Sequence, residues 1–444
     1  MTLYRHSFGV ASVVACLLTL LLSACADYED AFYYDHEDNI YSKDKPPYDA
    51  DGDGLMDTLY IYRYAERQAI LLTDREHLLT AEGNAFAARL LGQLCEGTQE
   101  NVVLSPFSVQ LAMGLLANGM GEDACRELLD VMYDGSASVD ELNRYLRLLY
   151  EPFTQAADGT VLTLPNSMWV QSGYGVAPAF VQSVSTFYDA RISYVDFVND
   201  LPASSGYISH WMRASTCGQV DHPGVPLSGQ SRLLLLNGCC LRTAWTTPFI
   251  PSASTLSFTC ADGTVAAMPG LCQVAPVYTY GLYEKVTFPL GNGSFALTLV
   301  LPQEGVSLDS LIPSVGGEPS VATADTVLVC LPPFQLTGCH DLVPVLRDMG
   351  VTMLFDGRDP LCNMNAALNV TDILQEMCFG VNAAGTDTAV QLVTTCDERS
   401  EETLLPMLPA PKTVVFDRPF LFIVTEQSTG TILIEGCVNK PVTQ

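Results

Sequence analysis

Histidine and cysteine are the residues best suited to nucleophilic, acid–base or metal chemistry, and their spacing in this chain matches no catalytic motif. The six histidines are residues 6, 36, 77, 210, 222 and 340. None belongs to an H-E-x-x-H zinc motif, and the sequence contains no G-x-S-x-G nucleophile turn and no phosphate-binding P-loop. The fifteen cysteines show no paired C-x-x-C zinc pattern. A cysteine–histidine hydrolase stays open, but no feature points to it, so we predict a protein that is not an enzyme and has no cofactor.

An acidic segment near the start of the chain carries the pattern of a cation site. Asp49, Asp51 and Asp53 alternate with small residues, a glycine comes next, and Asp57 ends the run. This spacing places hard oxygen ligands around one ion, and the glycine allows a sharp turn. The twelfth position is Tyr60, where an EF-hand supplies a bidentate glutamate. The segment therefore predicts either a weak calcium site or a merely solvated acidic linker.

The stretch from Met377 to Phe420 begins as an apolar strand, becomes small and polar, and then passes through several prolines. A loop of this length inside a compact domain is usually functional or disordered. Successive strand side chains point to opposite faces, and one alternate set after Gly385 contains no charge. That set is Thr386, Thr388, Val390, Leu392, Thr394 and Cys396. The pattern predicts a strand with one buried and one solvated face, although an ordinary edge strand would show the same alternation.

The first 24 residues predict an export signal. The apolar run Val10–Leu22 is too short to span a bilayer. Ser23, Ala24 and Cys25 follow it and resemble a bacterial lipobox, in which Cys25 would be lipidated; the alternative is a plain secretory signal cut near Ala24. We expect a lipid-anchored protein of the bacterial cell envelope, facing the cell surface or the periplasm. Residues 25–75 would form an acidic tether and residues 76–444 the main domain.

The charge balance limits the partners of this protein. The net charge is −29, with only 21 lysines and arginines in 444 residues. Because nucleic acids and other polyanions repel such a surface, we expect no nucleic-acid partner. We expect a monomer.

Thirteen cysteines remain after Cys16 of the signal and Cys25, and export makes disulfides possible. Their pairing cannot be derived from the sequence. Cys239, Cys330 and Cys378 lie in apolar strand-like segments, which predicts small core residues.

Several segments of the main domain would position the long loop. Residues 101–108 read as a strand that ends at a Ser-Pro break, followed by a helix capped by Ser105 or Ser108. Residues 233–249 read as a strand that contains Asn237 and ends near Trp245. Residues 422–436 read as a hairpin with Gly430 at its turn.

These motifs and their order resemble the motifs of the serpin family across nearly the whole domain. Residues 101–108 are similar to the family's Asn-Val-x-x-Ser-Pro-x-Ser segment beneath the opening of its main sheet, and Asn237 and Trp245 match its Asn…Trp strand. The resemblance implies an α+β serpin fold, with a large mixed β-sheet, further sheets, surrounding helices and an exposed reactive loop. It places Ser105, Ser108, Asn237 and Trp245 in the region where the sheet opens. A histidine that many serpins hold in the next strand is Gln375 here.

The resemblance also implies a function for the long loop, which is suicide inhibition of a protease. The hinge would be Gly385, Thr386, Asp387, Thr388, Ala389 and Val390. The scissile bond usually follows the hinge glycine by fourteen residues, which gives Arg399 and Ser400. Arginine there implies a trypsin-like serine protease or an Arg-specific cysteine protease as the target.

Three alternatives stay open on the sequence. Arg399 would otherwise be one charge in a solvated loop, and the long segment after it allows cleavage at Leu404, Leu405 or Met407 instead. Thr388 is larger than the family's alanines and could slow insertion, as could Val390. The alternative function is a non-inhibitory binding or adhesion protein of the same fold, which would not need loop insertion.

Overall fold

The computed structural model describes residues 69–442, apart from 136, 155–159, 217, 219, 221, 223–226, 253, 313–321, 324–326, 357–358 and 387–411. All described residues belong to one unit of the chain, Arg63–Gln444. Ile70 donates a backbone hydrogen bond to Ser428 Oγ over 3.0 Å, which fixes the start of this part of the chain against its C-terminal hairpin.

Seven helices lie in these described ranges, and their starts follow from local capping. They are α1 Asp74–Cys95, α2 Pro106–Ala117, α3 Glu122–Tyr133, α4 Val139–Thr154, α5 Pro178–Tyr188, α6 Leu201–Ser215 and α7 Leu342–Asp348. A capping box of Thr73 and Glu76 starts α1, so this helix begins before the apolar periodicity that is visible from residue 86. Ser105 caps α2, with Pro106 in its first turn.

The strands of the same ranges are mostly short. They are β1 Val102–Leu104, β2 Thr160–Thr163, β3 Asn166–Gln171, β4 Arg191–Val195, β5 Leu233–Asn237, β6 Cys240–Thr243, β7 Ile250–Pro251, β8 Leu256–Thr259, β9 Val265–Met268, β10 Leu271–Ala275, β11 Val277–Tyr280, β12 Tyr283–Leu290, β13 Phe295–Pro302, β14 Ala322–Thr323, β15 Val327–Leu331, β16 Phe334–Asp341, β17 Leu374–Val381, β18 Thr413–Val415, β19 Phe420–Glu426 and β20 Ile432–Val438.

These strands form several sheets, which confirms the predicted α+β architecture. A seven-stranded antiparallel sheet has the order β1-β20-β19-β13-β12-β11-β14, and a four-stranded sheet has the order β18-β15-β10-β7. The mixed sheet β4-β3-β5 pairs β3 with β4 in parallel and with β5 antiparallel. Separate ladders join β16 to β17, β2 to β6 and β8 to β9.

The core lies around the seven-stranded sheet and helix α2. Every residue of β13 and β20 is buried, so both faces of the sheet are covered in its centre. Helix α2 is buried on almost all sides and packs against β20. This explains why α2 reads as a nearly continuous apolar run rather than as an amphipathic helix. Gly430 has a φ of +74° in the turn between β19 and β20, where only a glycine avoids strain, as predicted.

The prediction that Cys330 is a small core residue is wrong. Cys330 is not a free core residue, because it forms a disulfide with Cys272 on the neighbouring strand β10. Cys239 and Cys378 are free but only half-buried. Across the described ranges, helices are too short or too polar to cross a bilayer.

Candidate functional site

The structure describes part of the predicted site. Gly385, Thr386, Ser105, Ser108, Asn237 and Trp245 lie within the described residues. Outside them lie the hinge residues Asp387, Thr388, Ala389 and Val390, the bond Arg399–Ser400, the lipidation residue Cys25, and the acidic residues Asp49, Asp51, Asp53 and Asp57.

A tight turn follows β17 and reverses the chain. The backbone N–H of Asn382 donates to the Gly385 carbonyl over 3.0 Å. The Asn382 side-chain oxygen accepts the N–H groups of Ala384 and Gly385 over 2.8 and 3.0 Å. An asparagine that binds the backbone two and three residues ahead stabilises such a turn. The chain therefore leaves β17 in one direction and starts the long loop in the opposite one.

After this turn the chain pairs antiparallel with the end of β6. Gly385 lies opposite Ala244. The Thr386 N–H donates to the Thr243 carbonyl over 2.9 Å, and the Trp245 N–H donates to the Ala384 carbonyl over 3.1 Å. Thr386 is only 1% exposed. Thr386, the second residue of the predicted hinge, is thus buried and paired with the end of β6.

The close approach at Gly385 leaves no room for a side chain. A Cβ atom on Gly385 would overlap the Thr243 carbonyl oxygen and lie 2.8 Å from the Ala244 Cα atom. Both neighbours are backbone atoms, so no rotamer change can relieve the overlap. Glycine is required here for space.

Trp245 anchors the same turn from the other side. Its indole N–H donates to the Asn382 carbonyl over 2.8 Å. The ring is 1% exposed and packs against Phe249 and Phe288, with centroid distances of 4.8 and 6.1 Å. Buried aromatic rings in such edge contacts stabilise a site beyond their buried area.

A cavity separates β5 from β17 below this turn. Strand β5 pairs with β3, and β17 pairs with β16; among the described residues no hydrogen-bonded ladder joins β5 to β17. The cavity has a volume of about 360 Å³, and both strands line it together with parts of α2 and α6. Strands without a neighbour present backbone N–H and C=O groups to any chain that enters between them.

Ser105 connects the elements beneath this cavity. Its hydroxyl donates to the Leu433 carbonyl of β20 over 2.7 Å and accepts the Ser108 N–H over 3.3 Å. Its backbone N–H and carbonyl are both bound by the Gln375 side chain, over 3.0 and 2.9 Å. Ser108 and Gln375 line the cavity. Helix α2, β17 and β20 are therefore held together at one residue.

Asn237 lies at the other edge of the cavity. Its side-chain amide donates to the Asn166 side-chain oxygen over 2.8 Å. Its own Oδ1 atom is buried, and no described group donates a hydrogen bond to it. A buried acceptor without a donor is costly.

Burial favours the uncharged forms of two titratable side chains on β16 and β17. Burial lowers the pKa of His340, whose ring lies 3.0 Å from the Val103 carbonyl. Burial also raises the pKa of the Cys378 thiol. The described residues contain no cluster of three metal-ligating side chains. The cavity between β5 and β17, which no ladder of the described residues closes, suits the acceptance of a polypeptide strand.

Two residues of this site escaped the sequence analysis as site residues. Asn382 had a local signal, because an asparagine between a strand and a glycine favours a turn. Gln375 was noted only as the residue at the position of a serpin histidine, and its contact had no local signal because its partner Ser105 lies 270 positions away in the sequence.

Comparisons with known proteins agree with this geometry. Residues 81–441 match the family model described as Serpin (serine protease inhibitor). Human neuroserpin is 27% identical over 368 residues, which cover 78% of this chain and 88% of that protein. Iripin-8 of the tick Ixodes ricinus is 27% identical over 387 residues, covering 81% and 93%. Among solved structures, the thermophilic serpin tengpin in its native state superposes with a TM-score of 0.70 at 20% identity, covering 85% of this chain and 96% of tengpin.

Proposed function

The chain belongs to the serpin family, whose members are generally protease inhibitors, and from that premise we propose that it traps a protease by suicide inhibition. The protease nucleophile attacks the carbonyl carbon of Arg399. The bond to Ser400 breaks, Ser400 leaves as a new amino terminus, and Arg399 stays bound to the protease as an acyl-enzyme. The freed loop then inserts from Thr386 onward, and the displaced protease cannot complete deacylation.

The observation that carries this proposal is the reversed hinge above an unfilled cavity. Thr386 already pairs with Thr243 in the antiparallel direction that an inserted strand would continue. The cavity between β5 and β17 lies on the path of that strand. A binding protein of the same fold would need neither feature.

The arrangement of the loop ends also supports insertion. The structure describes Thr386 at one end and Lys412 at the other, where β18 pairs in parallel with β15. A fully extended chain spans roughly 3.3 Å per residue. The fourteen residues from Thr386 to Arg399 would therefore reach on the order of 45 Å, which exceeds the length of β5 and β6 combined.

We infer the target class from Arg399. Its guanidinium would bind an acidic specificity pocket of a trypsin-like serine protease or an Arg-specific cysteine protease. Cleavage at Leu404, Leu405 or Met407 would instead imply a protease with an apolar pocket.

The test is incubation of the chain without its first 25 residues with trypsin. Inhibition at the proposed bond predicts a complex that survives SDS, a released peptide that begins at Ser400, and an Arg399→Ala variant that forms no such complex. Cleavage with a large rise in Tm but without a complex would mean that insertion is too slow, which would implicate Thr388 and Val390. Cleavage with neither result would refute inhibition and favour the non-inhibitory binding protein.

We further propose that Cys25 carries a lipid anchor and that the tether holds a weak calcium site. Expression in a Gram-negative host should give a membrane-bound protein whose N-terminal peptide has the mass of a lipidated Cys25. The Cys25→Ala variant should lose both properties.

Calorimetric titration with calcium should show binding that disappears when Asp51 and Asp53 are both changed to Asn. The mass of the untethered domain by light scattering should be that of a monomer.

A further inference from the structure

Two free cysteines from opposite ends of the domain meet in the core. Cys95 is the last residue of α1, and Cys437 lies in β20, 342 positions later. Their sulfur atoms are 3.2 Å apart. Cys95 is 2% exposed and Cys437 is fully buried.

The surrounding hydrogen bonds hold both cysteines in place. Upstream of Cys95, Asn84 of α1 donates to the Gly430 carbonyl over 2.8 Å and accepts the Ile432 N–H over 3.1 Å. Beyond Cys437, the Asn439 N–H donates to the Asn101 side-chain oxygen over 2.8 Å. Since both segments are fixed against each other, the two sulfur atoms need to approach by only about 1 Å to reach a disulfide bond length.

A pocket gives access to this sulfur pair. It has a volume of about 300 Å³ and is lined by Cys95, Cys437, Asp309, Arg418 and Asn439 among others. A small disulfide fits such a space. The contact with Cys437 and burial raise the pKa of Cys95, and the charge of Asp309 adds to this effect. Because the thiolate is the reactive form, exchange in the folded protein is slow, and a bond made during folding would persist.

We propose that Cys95 and Cys437 form a disulfide that joins α1 to β20 when the protein folds with a disulfide oxidant. The Cys95 thiolate attacks one sulfur of the oxidant, breaks its S–S bond and releases one thiol. The Cys437 thiolate then attacks the mixed disulfide at Cys95 and releases the second thiol. The two cysteines lose two electrons, the oxidant gains them, and the two protons leave with the two released thiols.

The experiment is refolding of the full chain in oxidised and reduced glutathione, followed by peptide mapping without reduction. The expected product is a linked pair of peptides that contain Cys95 and Cys437. Its Tm should exceed that of the reduced protein by about 5 °C or more, because the bond closes a very long loop of the unfolded chain. The Cys95→Ala and Cys437→Ala variants should lose the linked peptides and that part of the Tm difference. Cys125→Ala, which changes another buried free cysteine, should keep both.

The link between Cys272 and Cys330 is an internal standard, because the structure already contains it. If that link forms and the peptides of Cys95 and Cys437 stay unlinked, the proposal is wrong. It is equally wrong if both thiols become reactive only after a chelator is added and native mass spectrometry finds a soft metal ion on the protein. In that case the pair would be a metal site.

Discussion

Replacement of Gly385 by alanine tests whether the paired hinge matters for inhibition. The added Cβ atom would overlap the Thr243 carbonyl and lie 2.8 Å from the Ala244 Cα atom. Since backbone atoms cannot move aside as a side chain can, the hinge has to leave its place beside β6. Gly385→Ala should therefore expose Thr386, which is now 1% exposed.

The size of the effect follows from the bonds that this movement breaks. The Thr386 N–H to Thr243 bond and the Trp245 N–H to Ala384 bond would both be lost. A net contribution of about 0.5–1.5 kcal/mol for each bond gives roughly 1–3 kcal/mol. This corresponds to a shift of about 5- to 150-fold toward the detached hinge.

Two assays measure this shift. Urea unfolding should show a loss of stability of this size, and trypsin should cleave more molecules for each complex that it forms. The matched control is Gly175→Ala, because Gly175 has no atom within 4 Å of the position of an added Cβ atom. If Gly385→Ala matches the wild type in both assays, hinge pairing does not contribute to insertion and our reasoning fails.

Three further substitutions test the hydrogen bonds of Gln375 and Trp245 and the buried carboxyl group of Glu435. Gln375→Ala removes both hydrogen bonds to the backbone of Ser105 and should lower the free energy of unfolding by about 1–3 kcal/mol; an unchanged urea midpoint would show that water replaces the amide. Trp245→Phe keeps the aromatic packing but loses the bond to Asn382; we expect about 1 kcal/mol of destabilisation and more cleavage per complex, and a wild-type ratio would argue against an anchoring role. Burial raises the pKa of Glu435 to about 8 from an ordinary 4.5, so the folded state keeps a proton that the unfolded chain releases, and stability falls as the pH rises between these values. Glu435→Gln should flatten that decline in urea titrations from about pH 5 to pH 8, and a slope equal to that of the wild type would contradict the assignment.

Much of the fold was predictable because its signals are local. Ser105 before Pro106 marked the start of α2, and Gly430 marked the turn of the last hairpin. The small, uncharged alternation after Gly385 indicated a strand that can enter a sheet.

The rest depends on residues that lie far apart in the sequence. In the sequence, only the serpin-like motif singles out Gly385. A glycine is needed there because the Thr243 backbone leaves no room for a side chain. Cys330 read as a core residue, because its partner Cys272 is 58 positions away and becomes a neighbour only when β10 pairs with β15. No local pattern encodes these contacts, since sheet pairing across long distances in the sequence decides them.

The Ser105 contacts bear on which side of the cavity would move during the insertion that we propose. Gln375 binds the Ser105 backbone on two sides, and the Ser105 hydroxyl binds β20, so β17 is fastened to the core. On the opposite side, the Asn166 and Asn237 side chains fasten β5 to β3. If the proposed insertion occurs as we infer, we predict that the cavity widens by displacement of the β4-β3-β5 layer relative to β17. The contacts that hold this layer in place would then resist insertion. Hydrogen exchange during loop entry should be fastest at the surface between this layer and the rest of the domain.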